Sequence, residues 1–190
     1  WERFSYYGMR ALLVLYLVNS LGFSDADALH IYAIYTGLVY LTPIIGGYLA
    51  DKYLGTQKAI FIGGFTMMLG HFLMAFPDLL FLAMGLLIIG NGYFKPNISV
   101  LLGRLYKDND VRRDSGFSIF YIGINLGAFL APLIVGYVGE TINWHYGFAI
   151  AGLGMLAGLI QFYLGQNTII QEDFSKKTKR LNFSDWRLIG

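Results

Sequence analysis

Six apolar runs long enough to cross a bilayer dominate the sequence: residues 4–21, 28–49, 58–76, 79–102, 115–138 and 146–164. A helix spans the hydrocarbon core with about 20 mostly apolar residues. None of the runs alternates with period two, and each exceeds the roughly 9–11 residues of a barrel strand. The pattern predicts an all-α membrane protein, a bundle of six transmembrane helices. Only 14% of residues are charged, against about 25% in soluble domains.

The loops predict an orientation. Those near residues 19–27, 77–78 and 139–145 carry no Lys or Arg. Lys52 and Lys58 flank the connection between the second and third runs. Arg104, Lys107, Arg112 and Arg113 fill the one between the fourth and fifth. Lys176, Lys177, Lys179, Arg180 and Arg187 follow the sixth. Lys and Arg concentrate on the cytoplasmic side, so both ends of the chain are expected there, in a cell (inner) membrane. Residues 1–166 read as the bundle. Residues 167–190 read as a cytoplasmic connection and the start of a further helix, with Ser184 or Asp185 as its cap. The first run begins almost at Trp1, and the last helix only starts, so residues are expected before and after this sequence.

Those loops and the tail hold eleven of the 14 basic residues, leaving Arg3, Arg10 and Lys95. A Lys or Arg at mid-bilayer costs about 2.5–3.5 kcal/mol on insertion scales, and such residues face a wet cavity or a partner. At about 100° per residue, Arg3, Tyr6, Tyr7 and Arg10 share one stripe, with Glu2 at its edge. Arg3 is expected at the cytoplasmic mouth and Arg10 roughly 10 Å deeper. Snorkelling to the interface is a second reading for Arg3 and for Lys95. Lys95 lies in GNGYFKPNIS, where Gly90, Gly92 and Pro96 predict a kink.

Other residues carry weaker signals. In GGYLADKYLGTQKAI (46–60) the glycines suit a tight turn, and Asp51 is expected to accept from a helix N-terminus or a basic neighbour. Tyr121 and Asn125 share a face of the fifth run; a buried Asn needs a partner, and packing between helices explains it as well as a site does. His30 and His145 read as solvated, and His71 as a hydrogen-bonded structural residue. The sequence has no cysteine, no histidine pair with metal-ligand spacing, no Gly-x-Ser-x-Gly elbow and no phosphate-binding loop. Neither an enzyme nor a nucleic-acid binder is expected.

Four stretches together resemble the proton-dependent oligopeptide transporter family of the major facilitator superfamily. WERFSYYGMR resembles the end of its ExxER motif with the YYG continuation. GGYLADKYLG is similar to its second-to-third loop signature, GNGYFKPNIS to its fourth-helix lysine motif, and FYIGINLG to its fifth-helix FYxxINxG pattern. The resemblance covers residues 1–166. It implies the N-terminal six-helix half of a major facilitator fold, with a 3+3 inverted repeat.

The resemblance further implies symport of di- and tripeptides with protons, driven by the proton gradient without a cofactor. Glu2 would take part in proton binding, with Arg3 beside it tuning its proton affinity, and Lys95 would pair with that acidic group. Arg10 would receive the peptide carboxylate. Tyr7, Tyr40 and Asn125 would line the pocket, with Tyr6 adjacent. The first glutamate of ExxER and the C-terminal six-helix half lie outside this sequence. The histidine that some members use for coupling would fall near Ala33, not at His30. The implied partners are a small peptide, protons, the bilayer and the missing half. The charges alone also suit a carrier for another small anion, such as a carboxylate or nitrate.

Overall fold

A computed structural model describes residues 1–107 and 109–170, with side chains through residue 166. The described residues are almost wholly helical. The helices are α1 (Glu2–Asn19), α2 (Asp25–Leu49), α3 (Thr56–Leu73), α4 (Leu80–Arg104), α5 (Arg112–Ala131), α6 (Tyr137–Thr141) and α7 (Trp144–Ile170). Each of the six expected runs coincides with one of these rods, α5 and α6 forming a single one joined by a π-helical segment, Pro132–Gly136. The expected cap at Ser184 or Asp185 lies outside the described residues.

Local chemistry sets the ends. The Ser24 hydroxyl accepts from the Asp27 N–H at 3.1 Å and caps α2. The second helix does not stop at Leu49 as expected. It widens into a π-helical turn, Ala50–Leu54, and Gly55 ends it at φ 79°, a left-handed value that glycine adopts freely. Asp51, in that turn, is exposed and has no hydrogen bond or ion pair among the described residues, so the partner expected for it is not found.

By length and composition, four helical stretches suffice to cross a membrane: 25–54, 77–104, 112–141 and 144–166. The other two expected spans, α1 and α3, have 18 residues each and polar starts. α1 is the interior helix. Met9, Leu12, Leu13, Tyr16 and Leu17 are fully buried, with Phe148 of α7 edge-on to Tyr16 at 5.1 Å between ring centroids.

Small residues let the rods approach closely. A Cβ on Gly63 would lie 2.7 Å from the Gly90 carbonyl. One on Gly46 would collide with the Gly92 carbonyl. α4 is helical through Pro96, and its Gly90 and Gly92 are contact points against α3 and α2.

Candidate functional site

α1 and α2 run in opposite senses, and one contact fixes their register. The Arg10 guanidinium donates to the Tyr32 hydroxyl through Nε at 2.8 Å and again through Nη2. Counting from that bond, Tyr6 falls level with Tyr35 after one turn, and Glu2 with Tyr40 after two. α4 brings Lys95 to this last level, its Nζ 4.3 Å from the centroid of the Tyr40 ring.

The lowest rung is ionic. Glu2 is 9% exposed and pairs with Arg3 Nε at 3.0 Å. Lys95 is within electrostatic reach of both. The other carboxylate oxygen of Glu2 is buried without a hydrogen-bond partner among the described residues. On the middle rung the Tyr6 ring takes two guanidinium groups, Arg3 at 5.8 Å and Arg10 at 5.4 Å from its centroid. Tyr7 stands edge-on to Tyr6 at 5.5 Å and also meets Arg10, at 5.9 Å. The top rung is Arg10 with Tyr32.

Arg10 and Lys95 are both half-buried, and Tyr40 is within electrostatic reach of Arg10 while it carries Lys95. The two cations therefore face one region. Arg3 shares the level of Lys95, which stands nine residues before Arg104 and so about 13 Å inside the end of α4. From α5, Gly127 also packs at this level: a Cβ there would lie 3.4 Å from the Arg3 Cβ. Asn125 is exposed on the same helix, and no hydrogen bond among the described residues joins it to the cluster.

Three participants were not foreseen. Tyr32 and Tyr35 stand one helical turn apart on the run that also holds Tyr40, a signal the sequence did carry. Asn91 is 1% exposed and donates to the Val39 carbonyl at 2.9 Å. Two histidines also differ from expectation. His71 is wholly buried, with neither ring nitrogen partnered among the described residues. His145 is half-buried, edge-on to Tyr16.

Glu2 is thus a buried acid paired with one cation and near a second, beneath a tyrosine-lined guanidinium. The POT family profile matches residues 57–185, and the chain belongs to that family, one of transporters rather than enzymes. It is 49% identical to a di-/tripeptide transporter of Lactococcus lactis over 87% of its own length and 35% of the relative's. It is 54% identical to the uncharacterized transporter YclF of Bacillus subtilis over 86% and 35%. The chain thus spans about a third of the curated relatives it matches. A crystal structure of peptide transporter POT with sulfate superposes with a TM-score of 0.92 at 45% identity, covering 100% of this chain and 40% of that one. A POT family transporter in complex with 5-aminolevulinic acid gives 0.88 at 40% identity, covering 100% and 41%. The fold is one half of a major facilitator bundle.

Proposed function

We propose that this chain is the N-terminal half of a proton-coupled symporter of di- and tripeptides. The observation that carries the reading is the level shared by Glu2, Arg3, Tyr40 and Lys95. An ionised Glu2 holds Arg3 and attracts Lys95. A protonated Glu2 releases Lys95, which then turns to the carboxylate of a peptide. Arg10, anchored by Tyr32, is the second cation for that carboxylate. Tyr7 and Tyr40 supply apolar faces and hydroxyls beside the peptide backbone, Tyr6, 3% exposed with its hydroxyl buried, backs them from the core rather than lining the pocket, and Asn125 reaches the peptide from α5.

Losing the proton on the cytoplasmic side restores the Glu2 pairing, and the peptide is released. Each ligand shifts the conformational equilibrium only by its differential affinity for the two states. Rocking of the two halves about the site moves it between the faces of the membrane. The second six-helix half receives the peptide's amino end. No cofactor is required, since the proton gradient supplies the drive. The Lys and Arg of the loops support a location in the cell membrane with both ends of the chain on the cytoplasmic side.

The test is uptake of labelled alanyl-alanine by the full-length protein in proteoliposomes with an alkaline interior. Accumulation that unlabelled dipeptides suppress, and that single amino acids and nitrate do not, supports the reading. A relative crystallised with sulfate favours a second reading, a carrier for a small inorganic or carboxylate anion. Suppression by nitrate or acetate with indifference to dipeptides would select it.

A further inference from the structure

α2 and α4 meet through backbone groups that neither helix satisfies alone. Pro43 sits inside α2 and has no N–H, so the carbonyl of Val39, four residues earlier, lacks its helical donor. Asn91 of α4 supplies one, Nδ2 donating at 2.9 Å. Pro96 likewise frees the carbonyl of Gly92, which lies directly against Gly46. The Thr42 hydroxyl adds a third link by donating to the Ile88 carbonyl at 3.0 Å.

The first of these links stands beside the candidate site. Val39 precedes Tyr40, and Asn91 is one helical turn from Lys95. The bond therefore ties the backbone that carries the Tyr40 ring to the turn that carries the ammonium above it. Asn91 is almost fully buried, so water does not compete for its donor. We propose that Asn91 is a positioning residue, whose bond to the Val39 carbonyl sets the register of α4 on α2 and holds Lys95 over Tyr40. The inference rests on the reading of Lys95 as the group that alternates between Glu2 and the peptide carboxylate.

A bond that merely filled an orphaned carbonyl would be replaceable by any donor, and α2 offers a way to supply one. Pro43→Ala restores a backbone N–H four residues after Val39. In Pro43→Ala/Asn91→Leu the carbonyl is satisfied within α2, while the two helices lose this link. In full-length protein, Asn91→Leu raises the half-saturation concentration for alanyl-alanine about tenfold. The double variant regains thermal stability yet keeps the raised half-saturation. Wild-type half-saturation in either variant overturns the proposal.

A second measurement needs no transport. A Tyr40→Cys/Lys95→Cys pair, in a background free of other cysteines, is cross-linked by mild oxidation. Adding Asn91→Leu to that pair on the Pro43→Ala background slows cross-linking about tenfold; an unchanged rate overturns the proposal. If the wild-type protein takes up no peptide, the transport reading fails separately, and the cross-linking rate alone decides whether Asn91 sets the register.

Discussion

Arg10 of α1 and Tyr32 of α2 are joined by two hydrogen bonds from one guanidinium to one phenolic oxygen. The pair fixes the register of the two helices and leaves Arg10 half-buried at the top of the polar ladder. The hydroxyl is the only protein acceptor that the cation has among the described residues, and its other contacts there are the rings of Tyr6, Tyr7 and Tyr32.

Tyr32→Phe keeps the ring beneath the guanidinium and removes the acceptor. Hydrogen bonds to charged groups are worth about 1.5–3 kcal/mol. The half-saturation concentration for a dipeptide is therefore expected to rise by about tenfold or more. Arg10→Ala abolishes proton-driven uptake altogether. Concentration-dependent uptake measures both, and an unchanged half-saturation in Tyr32→Phe contradicts the anchoring role.

The crossing of α2 and α4 predicts a contrast between two glycines of one helix. A Cβ on Gly46 meets the backbone of Gly92, which cannot step aside, whereas one on Gly37 meets open space. Gly46→Ala should destabilise the protein by about 1–3 kcal/mol, the usual cost of overpacking. Gly37→Ala should be neutral or mildly stabilising through helix propensity. Thermal unfolding of the purified protein in detergent checks the pair, and equal midpoints contradict the close packing.

Outside the membrane, the start of α5 has an acid-sensitive clasp. Asp110 accepts from the Arg112 N–H at 2.9 Å, from Nε at 3.1 Å and from Nη2 at 2.8 Å. The side-chain and backbone bonds from Arg112 hold its carboxyl down from 3.8 to about 2. A value lowered by folding contributes stability above the unfolded value, and that contribution is lost as the pH falls through the folded one. The gap in melting temperature between wild type and Asp110→Asn should thus be constant above about pH 4 and narrow below it. Solvent screening keeps it small, and a gap that is the same at pH 3 as at pH 6 contradicts the clasp.

Much of this fold was legible because a bilayer demands long apolar helices and punishes stray charge. The six runs and the Arg3–Tyr6–Tyr7–Arg10 stripe follow from spacing alone. What depended on neighbours was not legible. The GGYLADKYLG stretch reads as a glycine-rich turn, yet Gly46 is placed for contact with Gly92, and the helix winds on as a π turn to Leu54. The neighbours of Arg3 were not legible from its place near the start of the sequence; they are set by the packing of α1 on α5 and by Lys95 of α4. Asn91 hid inside the lysine motif, since its duty depends on a proline in another helix. Tyr32 and Tyr35 are legible in principle, since both lie one turn apart on a run that lies antiparallel to the Tyr6–Arg10 stripe.

The central claim is that Lys95 alternates between Glu2 and the substrate carboxylate, so that proton movement and peptide movement are one event. The most direct measurement is the accumulation ratio of labelled alanyl-alanine in proteoliposomes under an inside-alkaline pH gradient, for wild-type full-length protein and for Lys95→Ala. The account predicts that the wild type concentrates the peptide and that Lys95→Ala does not raise the internal concentration above the external one. A wild-type accumulation ratio in Lys95→Ala would contradict it.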